Sequence, residues 1–78
     1  MEKIAHYFLY YTPKGNGRVV FRLAGETTNR ATQPLSAVEL AAAAAVLSQK
    51  NIMFDPVQNT FASFDDDNSP LANSNLFA

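Results

Sequence analysis

The chain has 78 residues and a net charge of −1, with no cysteine and a single histidine, His6. That length suits one domain. The composition excludes disulfides, thiolate metal sites and multi-histidine zinc sites, and no apolar run approaches the ~20 residues that span a bilayer, so no membrane partner is expected.

A domain this short buries only about 60–65% of the surface its unfolded chain exposes. Its core is thin, and association with a second copy or a protein partner is the remaining source of support. The first residues do not read as a secretory signal, and a cytoplasmic setting is expected. Charge is uneven along the chain. Residues 1–30 carry Lys3, Lys14, Arg18, Arg22 and Arg30 against Glu2 and Glu26, a net of +3. Residues 31–78 carry Lys50 against Glu39, Asp55, Asp65, Asp66 and Asp67, a net of −4.

Residues 3–12 are rich in aromatic and branched side chains that suit a pleated surface. Pro13 to Gly17 follows, and its Asn-Gly pair is a strong turn signal. Residues 18–24 alternate, with Val19, Phe21 and Leu23 on one side and Arg18, Val20 and Arg22 on the other. Together these predict a β-hairpin. Residues 25–34 are polar and aperiodic and read as a loop.

A helix is predicted over 37–50. Ser36 and Glu39 have the spacing of a capping box, and Leu35 and Leu40 that of a hydrophobic staple. Ala41 to Ala45 has high helix propensity. Lys50 is expected in the last turn, with Asn51 ending the helix in a left-handed conformation. Residues 52–54 and 60–64 flank a turn and predict a second, shorter hairpin.

The expected fold is α+β, in the order ββαββ: an antiparallel sheet of two hairpins with the helix packed on one face. Residues 1–64 form this domain and 65–78 an acidic, polar C-terminal tail. Leu71, Leu76 and Phe77 give the tail apolar contact points, so it is expected not to be a free coil.

One helix covers only one face of a sheet, and the first strand is apolar on both. Its even positions are Ile4, His6, Phe8 and Tyr10, and its odd positions Ala5, Tyr7, Leu9 and Tyr11. The turn residues permit more than one register, and a one-residue slip exchanges the faces. Beside Arg18, Val20 and Arg22 therefore lie either Phe8 and Tyr10 or Tyr7, Leu9 and Tyr11. Either way the sheet has a second face of aromatics and arginine.

No motif supplies catalytic chemistry. His6 has no partner set by sequence and reads as a structurally satisfied side chain. The Asp65-to-Ser69 run lacks the glycine and the final glutamate of a calcium loop. Lys14 to Arg18 joins two strands and is no phosphate loop. No enzymatic activity and no cofactor are expected. The leading expectation is a small non-enzymatic protein–protein interaction module that self-associates. The alternative is a nucleic-acid-binding protein using Phe8, Tyr10, Lys14, Arg18, Val20 and Arg22, with Arg30 adding charge nearby.

Overall fold

In the computed structural model, which describes residues 1–73, these patterns become five strands and one helix. The strands are β1 (Glu2–Tyr11), β2 (Gly17–Leu23), β3 (Arg30–Ala31), β4 (Ile52–Asp55) and β5 (Thr60–Ser63), and the helix is α1 (Ala37–Leu47). The strands form one antiparallel sheet in the order β3-β2-β1-β4-β5, with α1 on one face, so the α+β expectation holds. No described helix is long and apolar enough to cross a membrane.

The β1–β2 turn does not use the Asn-Gly pair. Gly15 N–H donates to the Thr12 carbonyl at 2.8 Å, which puts Pro13 and Lys14 at the centre, Lys14 with φ 65°. Proline at the first central position and a positive φ at the second suit a type II turn. Gly17 is thereby released to begin β2.

This turn fixes the register. Tyr7 faces Phe21, Phe8 faces Val20, Leu9 faces Val19 and Tyr10 faces Arg18. Cross-strand partners share a face, so Tyr7, Leu9 and Tyr11 join the core face with Val19 and Phe21. His6, Phe8 and Tyr10 share the outer face with Arg22, Val20 and Arg18. The register shifts between Ile4 and His6. The extra residue, Ala5, is a β-bulge that inverts the alternation. Ile4, an even residue, thereby reaches Leu23 and the core while His6 turns outward.

The predicted loop at 25–34 contains a strand. Arg30 pairs with Phe21 and Ala31 with Val20, and Thr32 N–H donates to the Val19 carbonyl at 3.0 Å. Unsatisfied β2 backbone groups recruit this short polar segment, an effect of tertiary context. Gly17 then exchanges both backbone bonds with Leu35, at 3.0 and 2.8 Å, and this bridge sets the chain at the entrance to α1.

The helix begins as expected. Glu39 N–H donates to Ser36 Oγ at 3.2 Å, and Ser36 N–H donates to Glu39 Oε1 at 2.9 Å. It ends at Leu47, three residues before the predicted Lys50. Ser48 Oγ donates to the Ala45 carbonyl at 2.9 Å, a side-chain bond that competes with helix continuation. Asn51, at φ 55°, completes the reversal. Lys50 is left outside the last helical turn.

The second hairpin forms where predicted, with Phe54 facing Phe61. It pairs with β1 only at Glu2 and Lys3. In a flat sheet β5 would lie ~14 Å from β2, three strand spacings away. The rings of Phe21 and Phe61 are instead 5.2 Å apart, and those of Phe21 and Phe54 4.8 Å. The sheet therefore curls, folding the second hairpin back over the core face. Leu40 and Leu47 of α1 complete the core with Ile4, Val19, Phe21, Leu23 and Phe54.

Beyond β5 the chain runs along the outer side of the first residues of β1. Lys3 and Met53 are cross-strand partners, Lys3 Nζ meets Asp67 Oδ2 at 3.2 Å, and Met53 and Ser69 are buried. A 3-10 turn occupies Pro70–Asn73. Leu71 remains 62% exposed. The predicted contacts at Leu76 and Phe77 lie outside the described residues.

Candidate interaction surfaces

Two surfaces of the β1–β2 hairpin are open among the described residues. The first is the outer face of the sheet. It is a ladder of three cross-strand rungs, His6 with Arg22, Phe8 with Val20 and Tyr10 with Arg18. Rings occupy the β1 side, and cations stand at both ends of the β2 side. Phe8 is 57% exposed and Tyr10 45%, with their ring centroids 6.5 Å apart. Arg22 Nε donates to Asn29 Oδ1 at 3.0 Å, which orients the guanidinium through a neutral partner. A shallow depression of about 210 Å³ lies beside it, lined by His6, Phe8, Val20, Arg22 and Asn29.

The charges on this face are uncompensated. Among the described residues no carboxylate lies within ion-pair distance of Arg18, Arg22 or Lys14. Lys14 occupies the hairpin tip, at one end of the ladder. Arg30, which the sequence placed near this group, is engaged elsewhere. Its Nη2 and Nε donate to the two Glu26 carboxylate oxygens at 2.9 and 3.1 Å. That pairing holds the Glu26 carboxyl below its ordinary range and raises the Arg30 guanidinium. His6 was read as structurally satisfied. It is instead exposed, faces Arg22, and makes no side-chain hydrogen bond among the described residues.

The second surface is the free edge of β1, which the sequence reading missed. Gly17 bonds to Leu35 and the Val19 carbonyl accepts from Thr32, so odd residues of β2 point away from β1. Antiparallel pairing alternates. His6, Phe8 and Tyr10 therefore spend their backbone bonds on β2, and Tyr7, Leu9 and Tyr11 direct theirs to the opposite edge. No described strand pairs with that edge beyond Lys3. The signal available was a mismatch of length, since a four-residue β4 cannot cover a ten-residue β1.

Beneath the edge lies α1. Tyr7 Oη donates to the Leu47 carbonyl at 2.9 Å, satisfying one of the acceptors that a helix C-terminus leaves open. Toward the other end of the helix an apolar groove of about 390 Å³ separates β1 from α1, lined by Leu9, Tyr11, Ala37, Leu40, Ala41 and Ala44. The outward side of α1 is apolar as well, with Val38 80% exposed and Ala41, Ala42 and Ala45 in solvent. A helix apolar all round is normally covered on more than one side. No family model, curated protein or solved structure matches this chain.

Proposed function

We propose that the protein is a non-enzymatic protein–protein interaction module that self-associates by pairing the β1 edges of two copies. The open edge at Tyr7, Leu9 and Tyr11 carries this reading. Soluble proteins blunt long edges with lysine, proline or a bulge. From Ala5 to Tyr11 this strand has no Asp, Glu, Lys, Arg or Pro, and its one bulge lies at the end next to Lys3. Its residues are strong strand formers.

Two such edges pair antiparallel about a two-fold axis normal to the sheet. That symmetry keeps both helices on the same face. The grooves under the two edges then open toward each other, and the small Ala37, Ala41 and Ala44 side chains let the helices approach closely. His6, the sole histidine, faces Arg22 rather than a carboxylate, which supports a non-catalytic reading. A cysteine-free chain is compatible with a reducing, cytoplasmic setting.

Sedimentation at tens of micromolar tests the proposal. The expected result is a dimer for the native sequence and a monomer of unchanged circular dichroism for Tyr11→Lys, which places a charge on the edge. Ala41→Glu, in the groove, is expected to weaken the dimer without touching β1. A native chain that stays monomeric over this range overturns the reading.

A further inference from the structure

We infer that the outer face of the β1–β2 hairpin binds single-stranded nucleic acid, with bases stacking on Phe8 and Tyr10 and phosphates meeting Arg18, Arg22 and Lys14. The face lies opposite α1 and is carried by each copy, so this inference does not depend on edge pairing.

Three observations select this ligand. The first is the separation of the two chemistries, with the rings His6, Phe8 and Tyr10 in a row on β1 and the cations Arg18 and Arg22 on β2. Successive rungs on one face lie about 6.6 Å apart along a strand. A chain with alternating flat rings and anions can meet both rows at once, because every base has a face to stack. The second is charge complementarity. The cations here have no carboxylate partner among the described residues, whereas Arg30 and Lys3 are paired with Glu26 and Asp67. Arg22 is also held in place by Asn29, so less freedom is lost when an anion binds.

The third observation argues against a peptide. An extended peptide gains affinity by hydrogen-bonding to an open sheet edge. On the outer face His6, Phe8 and Tyr10 spend their backbone groups on β2, and the open groups of Tyr7, Leu9 and Tyr11 lie at the strand's edge, in the plane of the sheet. Recognition there must come from side chains, through stacking and charge, and that favours nucleobases and phosphates over an acidic polypeptide.

The test is fluorescence anisotropy of the full chain with a labelled mixed-sequence single-stranded oligonucleotide of about a dozen residues, in a salt series. The expected result is binding at low salt that weakens as salt rises. The log–log slope is expected near −2, since each neutralised phosphate on a single strand contributes about −0.7 and three cations face the ligand. Arg18→Gln and Arg22→Gln should each make the slope shallower by about 0.7. Phe8→Ala, at an exposed position, should cut affinity about ten-fold while leaving the slope unchanged. Circular dichroism establishes that each variant is folded, and Phe8→Leu replaces Phe8→Ala if the latter is not. Absence of binding at low salt overturns the inference. So does an unchanged affinity for the Phe8 variant, which would leave only unspecific charge attraction. Equal competition by poly-glutamate would assign the face to acidic proteins. Binding that appears only after residues 74–78 are removed would assign it to the chain's own C-terminus. Either result overturns the proposal as well.

Discussion

Gly17 sits where three elements meet. Its N–H and carbonyl hold Leu35, and a methyl group at its α-carbon would overlap the Tyr10 carbonyl oxygen and press on Leu40 Cδ2 at 2.6 Å. The Tyr10 carbonyl is backbone and cannot move without breaking the ladder. Gly17→Ala is expected to lower stability by about 1–3 kcal/mol in chemical denaturation, the range of an overpacked core. Ser36 is a second residue whose effect can be isolated. Its bonds with Glu39 satisfy two donors that the helix leaves open, so Ser36→Ala should cost about 1 kcal/mol. The same cap makes stability depend on pH. Backbone and side-chain hydrogen bonds from Ser36 lower the Glu39 carboxyl from its ordinary 4.5. A depressed carboxylate pKa stabilises the fold above the unfolded value, and that contribution is lost as pH falls below about 4.5 through the folded value. Melting temperatures of Glu39→Gln and the native chain should therefore converge in acid and separate toward neutrality.

Among the elements, β1 carries a single inserted residue. Ala5 lets Ile4 and Tyr7 serve the same face although their positions differ in parity. Deleting Ala5 would remove the bulge and leave Ile4 and His6 as neighbours opposite Leu23 and Arg22, so strict alternation would keep Ile4, Tyr7 and Leu9 on the core face and Phe8 and Tyr10 on the outer one. The expected outcome is a retained cooperative thermal transition, as for Ala5→Val at the same exposed position, and its loss would show that the bulge itself is required. The bulge also explains what the sequence could and could not convey. The burial of Val19, Phe21 and Leu23 was legible because β2 alternates cleanly. The capping box was legible because it is local. The faces of β1 were ambiguous because its residues are apolar on both sides, and the register was decided by the Pro13-Lys14 turn rather than by Asn-Gly. The strand at Arg30–Ala31 was invisible because β2 supplies its partners. The outer face, with Phe8, Tyr10, Arg18, Val20 and Arg22, was legible as one of two alternatives. The free edge was not, because it reflects which strand is too short to cover β1.

At the scale of the molecule, the curled sheet is closed by aromatic packing. Phe61 links β5 to β2 through Phe21, with its ring 5.3 Å from Phe54. The second hairpin is tied to β1 by two residue pairs only, so this cluster carries much of its attachment. Phe61→Ala is expected to cost about 3 kcal/mol. Hydrophobic dye binding should rise if the hairpin detaches before the rest unfolds, and a single coincident transition would show that the molecule remains one cooperative unit.

The free edge of β1 also leaves an isotopic trace. In a lone chain the amide hydrogens of His6, Phe8 and Tyr10 are locked into the ladder, while those of Tyr7, Leu9 and Tyr11 face solvent. Deuterium uptake along this strand should therefore alternate, slow at even positions and fast at odd ones, a comb two residues in period. Mating of two edges would fill the gaps in the comb. Dilution series followed by residue-resolved exchange should show the odd amides losing protection together as copies part, while the even amides keep theirs until the chain itself opens.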